Sequence, residues 1–399
     1  MNQSPIAARF NTLLNKPFFT DKKYIIGLWL LITLVSVMKQ LAIDKFNNYK
    51  IFKGVYFHTI NKLPLYNEYP AEYFDHNHYG PVFSLIIAPF AVLPDFIGMT
   101  LWGLFNAGIL IWAITQLPLK QSQINAVLWI CLHEFLTALL GLQFNPIMTA
   151  LIILSFVYIE KGKDFWAALF ITIGIFIKLY GIVGLAFFFF SKNKIKFILS
   201  LFFWSLVWFL LPMAISSTDY IVDTYVQWYE RLVVKNNENV GLTSRQDICL
   251  MGIVRRITQD SSIPNLPFLI SGTVLFGLQY LRIKEYKEQG FRLMLLASIL
   301  IFTVIFSTGS ESPTYIIAFL GVAIWFVVQP KPVSKFYLFL FILAMILTSF
   351  SPSDLMPRYL RENYINPYAL KAVPCVLIWG AIIYEMLTKK FGAYNTVQT

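Results

Sequence analysis

Charged residues are scarce in this sequence. Only 13% of its 399 residues are Asp, Glu, Lys or Arg, whereas soluble domains carry about a quarter. So few charges cannot cover the water-facing surface of a chain of this length, and 57% of the residues are hydrophobic. This composition excludes an ordinary soluble domain and indicates an integral membrane protein.

Cysteine and the common catalytic motifs are also rare or missing. The three cysteines, Cys131, Cys249 and Cys375, are scattered without paired or metal-ligand spacing, which excludes a disulfide framework and a cysteine-based zinc site. The sequence has no phosphate-binding lysine loop, HExxH, GxSxG or dinucleotide-binding glycine pattern. We therefore predict no cofactor and no metal in the site, although the carboxylates of residues 44–96 are able to bind a metal ion.

Long apolar runs dominate what the sequence does contain. Runs of about 17–20 residues, at ~1.5 Å per residue, are long enough to cross a hydrocarbon core of ~30 Å. Inside that core every peptide group must bond internally, so the runs predict helices. We predict an all-α polytopic membrane protein with about 12 transmembrane helices. They lie near 24–43, 97–117, 122–141, 143–160, 164–178, 180–191, 196–215, 265–283, 290–308, 313–329, 334–350 and 372–388.

Lysine and arginine clusters predict the orientation. Basic residues gather at the N-terminus, which includes Arg9, and between several predicted helices, so we predict that both termini and these clusters are cytoplasmic. The net charge of +11 follows from this anchoring and does not require nucleic acid. The outward segments are then 44–96, 141–145, 178–180, 216–264, 308–313 and 351–371. The predicted location is a cell membrane, in particular a bacterial inner membrane, surrounded by membrane lipids.

Two outward segments are predicted to contain helices that do not cross the membrane. The run 81–93, about 13 residues, is too short for a comfortable crossing, so we expect a helix embedded from the outer side. If it crosses the membrane instead, the inside/outside orientation of the next few helices is inverted. In the fourth outward segment, the apolar and aromatic positions of 220–232 fit a helix lying along the interface.

Asp44 is the first candidate for catalysis. It lies at the outward end of the first helix, and if that helix continues, Asn47 and Asn48 share its face. A carboxylate at the membrane boundary can act as a general base toward a sugar hydroxyl. The alternative is an interfacial aspartate that ends the helix in water.

Lys178 is the second candidate. It lies between two apolar segments that are each shorter than a normal crossing, about 21 Å above Asp164 if the chain is helical. A cation at that depth needs a partner and therefore indicates a functional site, and phosphate is a suitable partner for lysine. The alternative is a lysine that reaches out to the membrane interface.

Further polar residues occupy the other outward turns. Gln143 and Asn145 can bind sugar hydroxyls or can be ordinary turn residues. Arg245 can hold a phosphate with two parallel hydrogen bonds, or it can pair with Asp247 or with a lipid headgroup. Glu311 can bind an acceptor or be a solvated loop carboxylate.

The motifs that follow one another along the chain are short but ordered. They are Asp44 with Tyr49, Leu65-Tyr66, Tyr79-Gly-Pro81, Ala88-Pro89 with Leu93-Pro94, Trp102 with Asn106, Gln143-Phe-Asn145-Pro146, Lys161-Gly-Lys163-Asp164, Lys178-Leu-Tyr180, and Gln246 before Leu250-Met-Gly252. From about residue 24 to 330, their order and spacing resemble glycosyltransferase family 87 of the GT-C superfamily. These polytopic enzymes use sugars linked to polyprenyl phosphate and include mannosyltransferases of lipoglycan synthesis.

The resemblance implies a GT-C-type helical bundle and an outward-facing active site. It implies transfer of a hexose, mannose above all, from a polyprenyl-phosphate-hexose donor to a lipid or glycan acceptor, with inversion and without a required metal. The chain 1–399 would be one membrane domain, with 24–260 as the catalytic core and 261–399 as C-terminal transmembrane helices. By the same resemblance Asp44 takes the role of base and Lys178 the role at the donor phosphate. We further predict Arg245 and Tyr180 at the donor phosphate, and Asn48, Tyr49, Gln143, Asn145, Gln246 and Glu311 at the substrates.

Two departures from the family pattern leave alternatives open. The family commonly has Lys-Pro-Tyr-Pro where this chain has Lys178-Leu-Tyr180-Gly181, and its Asp-to-Tyr spacing is often one residue shorter. The second departure makes Asp75 a rival for the role of base. A transporter or flippase of a lipid-linked sugar is the competing class. Its expected internal symmetry is not visible here, and the polar residues gather on one side of the membrane.

Overall fold

The computed structural model describes residues 16–394 and residue 396, so the predicted N-terminal cation Arg9 lies outside the described residues. All regular structure in these residues is helical. The α-helices longer than four residues are α1 (Lys22–Ala42), α2 (Asn47–Ile60), α3 (Phe83–Ala91), α4 (Asp95–Thr115), α5 (Gln121–Leu140), α6 (Asn145–Glu160), α7 (Asp164–Lys178), α8 (Lys194–Leu210), α9 (Thr218–Asn239), α10 (Leu250–Thr258), α11 (Leu266–Leu278), α12 (Gln289–Ile305), α13 (Tyr315–Val328), α14 (Lys335–Leu343) and α15 (Val373–Thr388).

Tighter and wider helical turns complete the chain. The 3₁₀ segments are Tyr180–Phe190, Leu211–Ile215, Gln279–Leu281, Ile283–Lys287, Ser312–Thr314, Leu370–Ala372 and Phe391–Ala393, the π segments are Ala344–Phe350 and Arg361–Ile365, and the short α-helices are Pro17–Thr20 and Arg358–Leu360. Each of the twelve predicted apolar helices coincides with an observed helical segment. Helices are also present in both outward segments where non-crossing helices were predicted.

Five helices in the described part of the chain are long and apolar enough to cross a membrane. They are Lys22–Ala42, Asp95–Thr115, Gln121–Leu140, Lys194–Ile215 and Leu370–Thr388. The other apolar helices are shorter, and α3, with nine residues, extends only about 13 Å. Length and composition thus support a helical membrane protein with five candidate spans, fewer than the twelve predicted crossings.

One side of α8 has the surface of a lipid-facing helix. Ile195, Leu199 and Phe202 are 73%, 63% and 73% exposed, and their spacing of four and three residues puts them on one face. Exposed aliphatic and aromatic side chains in such a row are unfavourable in water and favourable against lipid. The exposed apolar face of α8 therefore agrees with the membrane protein that the amino-acid composition indicates.

The core is formed around α6, α12 and α13, whose side chains are almost all buried. Helices α1, α4 and α5 pack together on one flank, and α15 packs against α12 and α13. On another flank α7 packs against both α6 and α8. This arrangement leaves the carboxyl end of α7 facing the outward turns.

The chain reverses direction immediately after α7, at the break predicted from the sequence. Leu179 adopts a positive φ of 57°, which ends the helix at Lys178, and the following 3₁₀ helix folds back along α7. A Cβ on Gly181 would lie 2.4 Å from the carbonyl oxygen of Ile171, so this close return requires glycine. The reversal leaves Lys178 at the tip of a helical hairpin.

The first helix ends before Asn47. Asp44 therefore does not share a helix face with Asn47 and Asn48, which would have required the helix to continue. The amide of Lys45 donates to the carbonyl of Gln40 at 3.0 Å, the amide of Asp44 donates to that of Leu41 at 3.3 Å, and Asp44 has a φ of 49°. These features form a Schellman cap, in which aspartate tolerates the left-handed conformation. Asp44 therefore ends α1.

Candidate active site

A cavity of about 400 Å³ opens among the predicted outward segments. Its wall combines α2, the loop 75–79, the tip of the helical hairpin, α9 and the turn 307–311. We call it the central cavity. Its lining residues are Asn48, Ile51, Phe52, Asp75, His76, His78, Tyr79, Gln143, Lys178, Leu179, Tyr180, Leu232, Lys235, Asn236, Asn239, Gln246, Ser307, Thr308, Gly309 and Glu311.

Lys178 is held in the central cavity by a chain of side-chain hydrogen bonds. Its Nζ donates to Oδ1 of Asn145 at 2.7 Å. The Asn145 amide donates to Gln143, and the Gln143 amide donates to Oε1 of Glu311 at 2.6 Å. The chain fixes the ammonium group without neutralising it, because its direct partner is an uncharged amide.

The surroundings of Lys178 leave its charge available to a ligand. No carboxylate among residues 16–394 and 396 lies within ion-pair distance of its Nζ. The ammonium group instead lies 5.8 Å from the ring centre of Tyr79 and 5.3 Å from that of Tyr180, and cation–π contacts stabilise a cation without removing its charge. A fixed cation of this kind is suited to bind phosphate.

Asp75 supplies a carboxylate to the same cavity. It has a φ of 75°, an uncommon conformation outside glycine, and its side chain accepts the His76 amide at 2.8 Å. Nε2 of His78 lies 3.8 Å from Oδ1 of Asp75. Both ring nitrogens of His78 are buried without a hydrogen-bond partner in the described structure. The pair therefore presents an acceptor carboxylate and an unused imidazole to whatever enters the cavity.

The protonation states of this pair follow from its surroundings. Partial burial disfavours the charged carboxylate of Asp75, but His78, the His76 amide and the positive charge of Lys235 outweigh it and hold the pKa of Asp75 well below its usual range. Burial lowers the pKa of His78 below that of free histidine, against the opposing effect of Asp75. At neutral pH the site thus contains an ionised carboxylate beside a neutral imidazole.

The loop that carries Asp75 is tied directly to the end of α7. The amide of Gly80 donates to the carbonyl of Ile177 at 3.0 Å, and a Cβ at Gly80 would lie 2.1 Å from the carbonyl oxygen of Phe176. The Trp228 indole donates to the His78 carbonyl at 3.0 Å. The first bond connects the carboxylate loop to the segment that ends in Lys178, and the second connects it to α9.

An apolar groove adjoins the central cavity. It has a volume of about 310 Å³, and it runs beside α11 and α12. Leu269, Phe302 and Phe306 line its apolar part, whereas five residues line both it and the central cavity: Leu179, Tyr180, Asn236, Ser307 and Thr308. The shared lining shows that the polar chamber and the apolar groove lie side by side.

Most of the predicted site residues come together in or beside the central cavity. Asn48, Gln143, Lys178, Tyr180, Gln246, Glu311 and the rival base Asp75 line it. Asn145 lies directly behind Lys178, to which it is hydrogen bonded. Residues far apart in the sequence thus form one chamber.

Three predicted site residues lie elsewhere. Asp44 is outside the lining, is 75% exposed at its side chain, and pairs with Lys50 at 3.2 Å. Tyr49 is fully buried and donates to the carbonyl of Phe90 at 2.9 Å, which fastens α2 to α3. Arg245 lines a different cavity. The structure brings Asp75 to the chamber and leaves Asp44 at the surface.

Some lining residues were not among the predicted site residues. His78, Lys235, Asn236 and Thr308 belong to this group, and the Thr308 hydroxyl donates to Oδ1 of Asn236 at 2.7 Å. The available signal was the polar stretch Lys235–Asn239, which follows the amphipathic part of α9. Nothing in the sequence indicates that this helix end contacts the turn 307–311.

Comparisons with known proteins bear on this geometry. A family model described as glycosyltransferase family 87 matches residues 77–308, which is more than half of the chain. The match begins just after Asp75 and includes Lys178 and most of the central-cavity lining. No curated protein matches the chain. In the described residues, no group of three or more His, Cys, Asp and Glu side chains is arranged to hold a metal ion.

Proposed function

The chain belongs to glycosyltransferase family 87, a family of the GT-C type, and from this membership we propose a specific transfer reaction. The donor is a hexose, mannose above all, linked to polyprenyl phosphate. The acceptor is a lipid or glycan, and the reaction takes place at the outer face of a bacterial inner membrane with inversion at the anomeric carbon. Family membership implies glycosyltransferase activity, and the donor, acceptor and orientation are our proposal.

The observation that carries the proposal is the central cavity with its adjoining groove. One chamber contains an ionised carboxylate and a lysine whose direct hydrogen-bond partner is an uncharged amide, and it adjoins an apolar groove. A sugar linked to a long apolar chain through phosphate needs these three environments at once. A water-soluble nucleotide sugar does not need the apolar groove.

We assign the base role to Asp75. As the acceptor hydroxyl attacks the anomeric carbon, its proton passes to the Asp75 carboxylate and a new carbon–oxygen bond forms. The bond between the anomeric carbon and the phosphate oxygen breaks on the opposite face, and the phosphate leaves with the electron pair. Attack and departure on opposite faces invert the anomeric centre.

Lys178 is assigned to the leaving phosphate, with Tyr180 beside it. The ammonium group stabilises the charge that develops on the phosphate oxygen, and it is already fixed by Asn145 before the reaction begins, so little reorganisation is needed. The apolar groove is assigned to the first isoprene units of the donor. His78, with its unused ring nitrogens, Gln143, Gln246 and Asn48 are assigned to sugar hydroxyls.

We also propose that the shorter apolar helices cross the membrane, for a total of about 12 crossings with both termini cytoplasmic. Helices of 15–17 residues extend about 22–25 Å, and the 3₁₀ helix Tyr180–Phe190 extends about 22 Å because its rise is ~2.0 Å per residue. We propose one membrane domain. Its catalytic part extends beyond 24–260, since residues 307–311 contribute to the cavity.

The proposed orientation predicts a labelling pattern. Asn61 and Asn237 are exposed residues of the first and fourth outward segments. Single cysteines at these positions, in a chain with its three buried cysteines replaced, should react with a membrane-impermeant maleimide in intact cells. A cysteine at Lys161 should react only after the cells are opened. If the cysteines at positions 61 and 237 are both protected from the maleimide in intact cells, the predicted inside/outside orientation is reversed.

The proposed donor predicts a transfer reaction in vitro. Purified protein, incubated with radiolabelled mannosyl phosphoryl polyprenol and extracted membrane lipids, should move the label into a new lipid or glycan product. A donor supplied as the β-linked mannosyl phosphate should give an α-linked product, because the proposed displacement inverts the anomeric carbon. GDP-mannose as sole donor should give no product.

The transfer assay also distinguishes a transferase from the competing class, a transporter or flippase of a lipid-linked sugar. A flippase in proteoliposomes moves the labelled donor between leaflets and leaves its phosphate–sugar bond intact. If the donor moves between leaflets with its phosphate–sugar bond intact while acceptor lipids are present, the protein is a transporter and the transferase assignment is wrong. Transfer from the nucleotide sugar alone would contradict the lipid-linked donor.

A further inference from the structure

A second cavity, of about 710 Å³, lies next to the central cavity. Two extended segments separate them: the amide of Asp247 donates to the carbonyl of Thr308 at 2.8 Å, and that of Ile248 donates to Ser310 at 2.9 Å. Neighbouring residues on these segments line opposite cavities. Gln246 lines the central cavity, and Arg245 lines the second one.

The second cavity is basic. Its lining includes the cations Arg245, Arg256, Arg361 and Lys371 and, among the described residues, no carboxylate. The central cavity, in contrast, contains both Asp75 and Glu311. We call the second one the basic cavity. The difference in charge indicates a ligand that differs from a neutral sugar.

Two of the four cations are engaged within the protein. Lys371 is buried and pairs with the buried Glu134 at 2.8 Å, so its charge is compensated. Arg256 is 3% exposed and donates to backbone carbonyl oxygens of the segment 242–247. The nearby Asp247 carboxylate is paired with Arg255 at 2.7 Å. Arg256 therefore orders the wall segment, and it shares the charge of the Asp247 carboxylate with Arg255.

The other two cations, Arg361 and Arg245, have fewer partners within the protein. Arg361 donates to the carbonyl of Ser353 at 2.9 Å, and its nearest carboxylate, that of Asp354, is 3.4 Å away and fully exposed to solvent. Arg245 makes no hydrogen bond or ion pair within the described part of the chain. Arg245 and Arg361 thus present guanidinium groups to a cavity whose described lining contains no carboxylate, and such an electrostatic environment favours an anionic ligand.

We propose that the basic cavity binds a phosphate group carried by the acceptor, so that the acceptor is an anionic lipid. Guanidinium groups bind phosphate through paired hydrogen bonds and surpass lysine in this geometry. Arg245 and Gln246 are adjacent residues of the wall between the cavities, so a lipid that holds its phosphate beside Arg245 lies next to the chamber in which its sugar hydroxyl would react. The identity of the bound lipid as acceptor rests on the proposed function, whereas anion binding does not.

Direct binding tests the site without any transfer reaction. The probes are dihexanoyl phosphatidylglycerol, dihexanoyl phosphatidylcholine and inorganic phosphate, titrated against purified full-length protein in a zwitterionic detergent. We expect the anionic lipid to bind at least about ten-fold more tightly than the zwitterionic one, as for a charge-assisted contact. Arg245→Gln should reduce this preference, and Arg245→Gln with Arg361→Gln should abolish it.

A matched control lies in the same segment as Arg361. Arg358 is 80% exposed at its side chain and pairs with Glu362 on the surface, so Arg358→Gln removes the same charge and should leave the preference intact. Equal binding of both lipids to the wild type would overturn the proposal. So would an unchanged preference in Arg245→Gln, whose side chain has no structural bonds to lose. Inorganic phosphate that binds as tightly as the anionic lipid would overturn the assignment to a lipid.

Competition in the transfer assay tests the acceptor assignment separately. The short-chain anionic lipid should raise the concentration of acceptor extract needed for half-maximal transfer and leave the dependence on donor unchanged. Competition with the donor instead would assign the basic cavity to the donor phosphate and overturn the proposal. Anionic binding in a protein that never transfers a sugar would sink the proposed function and leave the anion site standing.

Discussion

Replacement of Asp75 by asparagine is expected to reduce the rate of sugar transfer by about 10²–10⁴-fold, the usual contribution of a positioned general base. Asparagine has the size of aspartate and tolerates the positive φ at this position, so the loop should fold as before. Its amide cannot take the proton of the acceptor hydroxyl. Donor binding should therefore persist, and the loss should appear in kcat measured with saturating labelled donor.

Asp44→Asn is the matched comparison, because it makes the same chemical change in the same outward segment. Asp44 caps α1 and pairs with Lys50 outside the central cavity, and exposed ion pairs contribute little to stability. Its variant should keep transfer within a few-fold of the wild type. If Asp44→Asn abolishes transfer and Asp75→Asn does not, the base is Asp44 and the cavity must rearrange around it.

Lys178→Met is expected to reduce transfer by about 10²–10³-fold, as removal of one preorganised electrostatic contact to a developing charge does. Methionine fills the space of the lysine stem between Tyr79 and Tyr180 but offers no charge to the departing phosphate. Arginine should restore only part of the rate, because its planar group is longer and differs in geometry. Rates at saturating donor, together with protein yield after purification, separate catalysis from folding.

Asn145→Asp tests the same charge while Lys178 stays in place. The new carboxylate would lie where Oδ1 of Asn145 now accepts from Nζ at 2.7 Å, and it would neutralise the cation that the phosphate needs. We expect the KM for the donor to rise by about ten-fold or more. A normal KM for the donor in Asn145→Asp, together with a wild-type transfer rate in Lys178→Met, would reduce Lys178 to a structural lysine.

The helices could be predicted from the sequence because lipid imposes a simple rule on the backbone. An apolar run in a membrane has to be helical, so the twelve runs agree with observed helical segments to within a few residues. The end of α7 could also be predicted from the sequence, because Lys178 interrupts the apolar run. The number of crossings depends on bilayer position as well as on helix length, and several of these helices are shorter than a standard crossing.

The site could be predicted only in part from the sequence, because most of its geometry depends on turns. Lys178 and Gln143 are polar residues between apolar runs, and this anomaly identified them. Asp44 is equally conspicuous in the sequence, but two backbone bonds cap the helix there and turn its side chain to solvent. Asp75 lies in the first outward segment without a periodic pattern to fix its direction. Contacts between distant segments decided between the two.

The bond between Gly80 and Ile177 has a consequence for how the protein moves. It joins the loop of Asp75 to the segment ending in Lys178 through main-chain atoms, so the two groups of opposite charge form one rigid half of the chamber. Substrate entry cannot be accompanied by separation of these groups without breaking that bond. Helix α9 belongs to the same half, because its Trp228 donates to the His78 carbonyl of that loop. The remaining wall, residues 245–248 and 307–311, comes from a different part of the chain. We therefore expect any opening and closing of the chamber to occur by movement of these wall segments.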